Sequence, residues 1–297
     1  MLRSHVISDK SKGMLLILLS AFCYSLMTVL LKYVNGVSSI QKCFVRNAVT
    51  CVIAVVIMTR EKNVWNNVTV RNGLYLFLRA LFGTSSMVLY YYAVDRMMVA
   101  NITILSMTAP FFCVIISAII LHEKVKPYHI FALLMAFAGI LLVAKPGNAS
   151  ESAIPILAAL FNAVFSAMGL VMTRILGKHH VDSGLVLLVS SVVGIVATVV
   201  LNGKQQFAIG MKDLMILVLS GVIGGIGNYC VTRAYGYAPA KEISIFDYSQ
   251  IVFSMLLGLW LFSEMPDSLS IAGYLMVTSA AVYMFQKTRK SAAGAVS

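Results

Sequence analysis

Arg46, Arg79 and Asp247 lie inside apolar runs of a 297-residue chain in which only 11% of residues are charged. An ionisable group in hydrocarbon is costly and normally faces protein or a wet cavity, so each of the three marks a place where polar chemistry is wanted. A guanidinium presents a planar fork of donors that suits a carboxylate or phosphate. An aspartate can neutralise such a cation or carry a proton. Such groups can hold a polar solute or pair within the protein; they are not a set for breaking bonds.

Arg79, Gly83, Ser86 and Tyr90 follow one another at spacings of four, three and four, which puts them on one helical face. Asp247 stands at a similar distance from the start of its own run, about 10 Å deep at 1.5 Å per residue. An Arg79–Asp247 ion pair in the inner part of a cavity is therefore expected, with a purely structural partner for Arg79 as the alternative. Asn101, Thr103, Ser106, Asn162, Ser166 and Tyr248 are further candidates for lining a substrate site through hydrogen bonds. Of Tyr90, Tyr91 and Tyr92, one or two rings can face inward, since successive helical residues point about 100° apart. Pro110 removes a backbone hydrogen bond and predicts a kink. The equivalent of Pro110 in the repeat described below is Ile251, so a kink in one half only is expected.

Other chemistries lack their residues. His179 and His180 with Asp182 read as a solvated turn, not as a metal site. The five cysteines contain no C-x-x-C and read as packing residues. Neither a Walker A pattern nor HExxH occurs, and no cofactor or metal is expected. An integral-membrane enzyme acting on a lipid-linked substrate is the second reading. It needs carboxylates or histidines gathered at one membrane face, and here they are scattered.

The elements that must position these residues follow from composition. Sixty per cent of the chain is hydrophobic, whereas soluble domains carry about 25% charged residues; the solvent of this chain is lipid. Although the formal net charge is +12, lysine and arginine fall singly or in small groups between apolar segments. They read as topology signals, and no nucleic-acid partner is expected. A span needs roughly 20 residues, and ten are predicted, near 13–34, 39–59, 72–94, 98–121, 128–144, 153–175, 183–201, 213–235, 241–262 and 268–287. The fifth and seventh are the shortest. Lysine and arginine favour the cytoplasmic side of short loops, and the set Arg3, Lys10, Lys12, Arg60, Lys62, Arg71, Lys124, Lys126, Arg174, Lys178, Arg233, Lys241, Lys287, Arg289, Lys290 outnumbers Lys32, Lys42, Arg96, Lys145, Lys204, Lys212. Both termini are then cytoplasmic, in the tails 1–12 and 288–297.

Two apolar runs end alike, "IILHEKVKP" at Glu123 and "WLFSEMPDS" at Glu264. An offset of 141 residues superposes Glu123 on Glu264, Phe112 on Phe253, Ala93 on Ala234 and Gly83 on Gly224. It maps spans 1–5 (13–146) onto spans 6–10 (153–287). Five being odd, the second copy enters the membrane inverted, an arrangement typical of secondary transporters with a substrate site at the repeat interface. A carboxylate at a helix C-terminus opposes the helix dipole, so each glutamate needs either a partner, such as backbone amides, or water.

"APFFCVIISAIILHEKV" followed by "FALLMAFAGILLVAKP", and "DYSQIVFSMLLGLWLFSEMP" followed by "IAGYLMVTSAAVYMF", resemble the EamA-type branch of the drug/metabolite transporter superfamily. The resemblance implies an all-α membrane fold of ten helices in two inverted five-helix repeats. It also implies a central cavity framed by spans 1, 3, 4, 6, 8 and 9, and alternating access by rocking bundles. Spans 2 and 7 are peripheral in that family, so Arg46 is expected to snorkel or to make a structural contact. A secondary transporter of a small polar metabolite, an amino acid or a related compound, is expected in a bacterial cytoplasmic membrane, as a monomer or homodimer, with proton coupling through Asp247 open to it.

Overall fold

The computed structural model describes residues 9–34, 36–59, 69–120, 127–144, 153–203, 209–237 and 244–293. α1 (Asp9–Tyr33), α2 (Ser39–Met58) and α3 (Val70–Val94) are spans 1 to 3, and α4 (Val99–Ser106) with α5 (Ala109–Ile120) forms span 4. α6 (Pro127–Ala144), α7 (Ala153–Lys178), α8 (Ser183–Asn202) and α9 (Met211–Tyr237) are spans 5 to 8. A 3-10 turn (Ser244–Tyr248) leads into α10 (Ser249–Phe262) as span 9, and α11 (Ser268–Ala293) is span 10. No strand occurs among the described residues. Eight helices are long and apolar enough to cross a bilayer, and Pro127–Val143 and Phe246–Phe262 are shorter apolar helices. Span 7 is thus of full length. The second short span is the ninth, whose first turn is wound as a 3-10 helix.

Helix starts follow local chemistry. Ser38 accepts from the Gln41 amide while Gln41 reaches back to the Ser38 amide, a capping box for α2. Thr69 and Asp182 cap α3 and α8 through the amides of Asn72 and Leu185. The outer faces carry large apolar side chains, among them Leu134, Val200 and Trp260. Such a surface is stable only against hydrocarbon.

α1 packs along α9, α3 along α7, α2 along α8 and α6 along α11, while α10 lies against α1 and α4. Spans 8, 1, 9, 4, 6 and 3 follow one another in contact, and spans 2 and 7 bridge the ends of that series. Exchanging the two halves turns the pairing of spans 1 and 8 into that of spans 6 and 3. The same exchange returns the pairings of 2 with 7, 4 with 9 and 5 with 10 to themselves. Small residues set the closest approach: a Cβ on Gly273 would lie 2.7 Å from the Gly139 carbonyl, so α6 and α11 touch backbone to backbone.

Span 4 is interrupted between Ser106 and Ala109, where Pro110 has no N–H to give the Ser106 carbonyl. Span 9 passes from 3-10 to α winding at Tyr248–Ser249, which the offset places on Met107–Thr108. The expected break beside Pro110 is present in span 4; in span 9 the described residues show a change of winding at the equivalent place and no gap.

Candidate substrate site

The break in span 4 meets the change of winding in span 9. The Tyr248 hydroxyl donates to the Met107 carbonyl at 3.4 Å, joining equivalent residues of the two halves. Beside this contact, Asn162 on α7 donates through Nδ2 to Ser106 Oγ at 2.8 Å and accepts at Oδ1 from Ser86 Oγ at 2.8 Å. Spans 3, 4 and 6 are joined there. A second cluster joins spans 1, 4 and 9, with Thr103 Oγ1 donating to Ser254 Oγ at 2.9 Å and Ser254 Oγ donating to Ser25 Oγ at 3.0 Å. The hydroxyls of Thr28 and Tyr90 are 2.6 Å apart.

Ser86, Ser106, Asn162 and Tyr248 thus come together as expected, with Ser166 half-buried one turn beyond Asn162 on α7. Asn101 and Thr103 are buried and committed elsewhere: Asn101 Oδ1 accepts from the Tyr274 hydroxyl at 2.5 Å, and Thr103 belongs to the second cluster. Tyr91 is buried, and Tyr92 packs under Arg96 at 3.9 Å.

The expected Arg79–Asp247 pair does not form. Arg79 Nε donates to Thr173 Oγ1 at 2.7 Å, and its Nη1 lies in the space left by Gly83 and Gly169. The two residues match in depth, but the Arg79 side chain leaves its helix toward α7. Asp247 Oδ1 is buried without a hydrogen-bond partner. The repeat explains why. Ser106, its equivalent, takes the amide of Asn162, whereas the residue equivalent to Asn162 is Ala21 on α1, which packs against the 3-10 turn and brings no donor.

Of the two roles expected for Arg46, snorkelling or a structural contact, the structure shows the second. Its Nη1 points across the bundle to Met27 Sδ on α1 at 2.7 Å, and a Cβ on Gly224 would lie 2.9 Å from that nitrogen. Its charge acts on the hydroxyls of Tyr24, Tyr90 and Tyr91. Gly83 and Gly224, equivalent residues, each leave room for a guanidinium. The run "SGVIGGIGN" shows the small residues, but nothing in it announces the arginine they accommodate.

One end of the bundle is tied shut. Glu264 pairs with Lys32 and accepts the Val99 amide at 2.7 Å, so the carboxylate that ends span 9 caps the start of α4. Ser263, in the left-handed region at φ 53°, turns the chain to allow it. Lys32 also donates to the Met97 carbonyl at 2.5 Å. Next to it, Lys42 bonds Asp95 at 2.5 Å and the Leu31 carbonyl at 2.9 Å. Burial pushes the Asp95 carboxyl above its ordinary range, and the Lys42 hydrogen bond and charge act against that push. Glu123 lies outside the described residues. His179 Nδ1 is 2.6 Å from Asn72 Oδ1, and among the described residues no group of histidine, cysteine or acidic side chains could hold a metal.

Both halves match the model of the EamA-like transporter family, over residues 11–145 and 153–286. The chain belongs to the EamA-like transporter family. It is 29% identical over 281 residues to the pseudopaline exporter CntI of Pseudomonas aeruginosa, covering 94% of this chain and 97% of that one. It is 28% identical over 280 residues to solute carrier family 35 member G1 of Mus musculus, covering 89% and 76%. A riboflavin transporter of Brucella anthropi is 25% identical over 216 residues, covering 71% and 75%. One solved crystal structure shares the fold, with a TM-score of 0.63 at 16% identity over 94% of this chain and 99% of that one. This EamA-like protein is a multi-pass membrane transporter.

Proposed function

We propose that this EamA-like protein is a secondary carrier that moves a small polar organic metabolite, an amino acid or a related compound, across a bacterial cytoplasmic membrane by alternating access. The observation that carries the reading is the meeting of the interrupted span 4 with the 3-10 start of span 9 at Met107 and Tyr248, beside a carboxylate oxygen without a protein partner. Carriers built from inverted repeats bind solute where discontinuous helices meet at the repeat interface. The repeats are 13–146 and 153–287, inserted in opposite senses, with both termini cytoplasmic. On that topology the end tied by Lys32, Glu264 and Val99 is the outer one, and solute enters this state from the cytoplasmic side. Passage outward requires those ties to break. Asp247, free of a protein partner at Oδ1, takes a proton or a cationic group of the solute. Relatives named as transporters and the absence of clustered catalytic groups among the described residues weigh against an enzyme.

Counterflow tests the reading. Purified protein in liposomes preloaded with unlabelled α- and ω-amino acids is expected to accumulate the matching labelled compound above protein-free liposomes. Turnover of a lipid-linked substrate in place of any counterflow would refute the carrier. Asp247→Asn is expected to exchange solute without responding to an imposed pH gradient. A retained response in that variant would remove Asp247 from coupling.

A further inference from the structure

Two charges face the interior of the bundle without an opposite charge from the protein. Arg46 Nη1 lies 2.7 Å from Met27 Sδ, a weak acceptor, and the guanidinium shares a hydrogen bond with the neutral Tyr91 hydroxyl. It has no ion pair with any described acidic residue. Asp247 Oδ1 is buried without a donor. Both lie against the middle of α1: Arg46 reaches Met27, and the carbonyl of Gln250, three residues past Asp247, accepts from Ser25 Oγ at 3.0 Å; Tyr24 feels both charges. The guanidinium is placed by design of the backbone: Gly224 leaves it room, since a Cβ there would lie 2.6 Å from Met27 Sδ and 2.9 Å from Arg46 Nη1. An uncompensated cation and an uncompensated anion in one low-dielectric enclosure are each costly, and a ligand bearing the two opposite charges relieves both.

We infer that Arg46 and Asp247 read the two charges of a zwitterionic substrate, its carboxylate on the Arg46 guanidinium and its ammonium on the Asp247 carboxylate, with the Tyr24 hydroxyl near both. The inference rests on the carrier reading and narrows it to compounds that carry both groups. A neutral metabolite leaves both protein charges unmatched. A plain carboxylic acid or a plain amine leaves one of them unmatched.

The test is a thermal-shift binding series on the detergent-purified full chain. Each of a set of α- and ω-amino acids is compared with its carboxamide and with its des-amino acid. At least one amino acid raises the melting temperature, and its two analogues bind at least about tenfold more weakly, the factor that corresponds to 1.4 kcal/mol. Arg46→Gln binds that amino acid and its amide alike, Arg46→Lys keeps part of the preference, and Asp247→Asn binds the amino acid and its des-amino acid alike. Gly224→Ala, which keeps the charge but fills its seat, behaves as Arg46→Gln. The inference is overturned if no amino acid binds, if the parent chain binds acid and amide equally, or if Arg46→Gln still separates them. Counterflow of a solute that lacks either charge would sink this inference and leave the carrier intact, whereas absence of all counterflow removes the carrier as well.

Discussion

A carboxylate at the end of a helix is out of place electrostatically, and Glu264 shows how the misplacement is used. One of its oxygens meets the Lys32 ammonium and the other the free amide at the start of α4. The pair is partly buried, so removing one member strands the other at a cost below the ~3–5 kcal/mol of a fully buried pair. Lys32→Met and Glu264→Gln are therefore each expected to lower the unfolding midpoint clearly, and the double variant to lose less than the sum. A double-mutant cycle on stability in bicelles should give a coupling of at least about 1 kcal/mol, and additivity would dismiss the tie. The opposite expectation holds for Arg79 and Asp247, which share no contact: their replacements should add to within about 0.5 kcal/mol. The sequence carries enough to flag a charge within a span and to estimate its depth from its distance to the span end. It does not carry the direction in which a long side chain leaves its helix, and that direction took Arg79 to Thr173 and brought Arg46 inward.

At the level of elements, ten apolar runs of span length were legible because lipid leaves a strong compositional signature. The interruption of span 4 was legible too, because proline states its own chemistry. The 3-10 winding at the start of span 9 was not, since a turn such as Ser244–Tyr248 has no comparable marker. Pro110→Ala returns the missing N–H and lets α4 and α5 run on as one helix. The expected result is a higher melting temperature and slower counterflow; unchanged exchange would mean that the break in span 4 is not needed for movement. The α6–α11 contact has no spare volume, because a Cβ on Gly139 would lie 2.8 Å from Val277 Cγ2. Gly139→Leu should lower stability by about 1–3 kcal/mol or more through overpacking, read as a drop in melting temperature.

For the whole molecule, the offset between the halves anticipated both the double family match and a set of helix neighbours that survives their exchange. Opposite insertion is open to direct measurement. In a cysteine-free background, a cysteine at Met265, between spans 9 and 10, should react with an impermeant maleimide from outside whole cells. One at His180, between spans 6 and 7, should react only after the cells are opened. Labelling of both from one side would undo the inverted arrangement. Where the halves differ, the difference creates something neither has. Ser106 and Ala21 belong to the first copy, Asn162 and Asp247 to the second. A dimer of first copies would set a neutral serine against alanine, and a dimer of second copies would hand each aspartate an asparagine amide. Only the joining of unlike copies in one chain leaves the Asp247 Oδ1 atom without a donor, so the acid is a property of the asymmetric pair and of neither half alone.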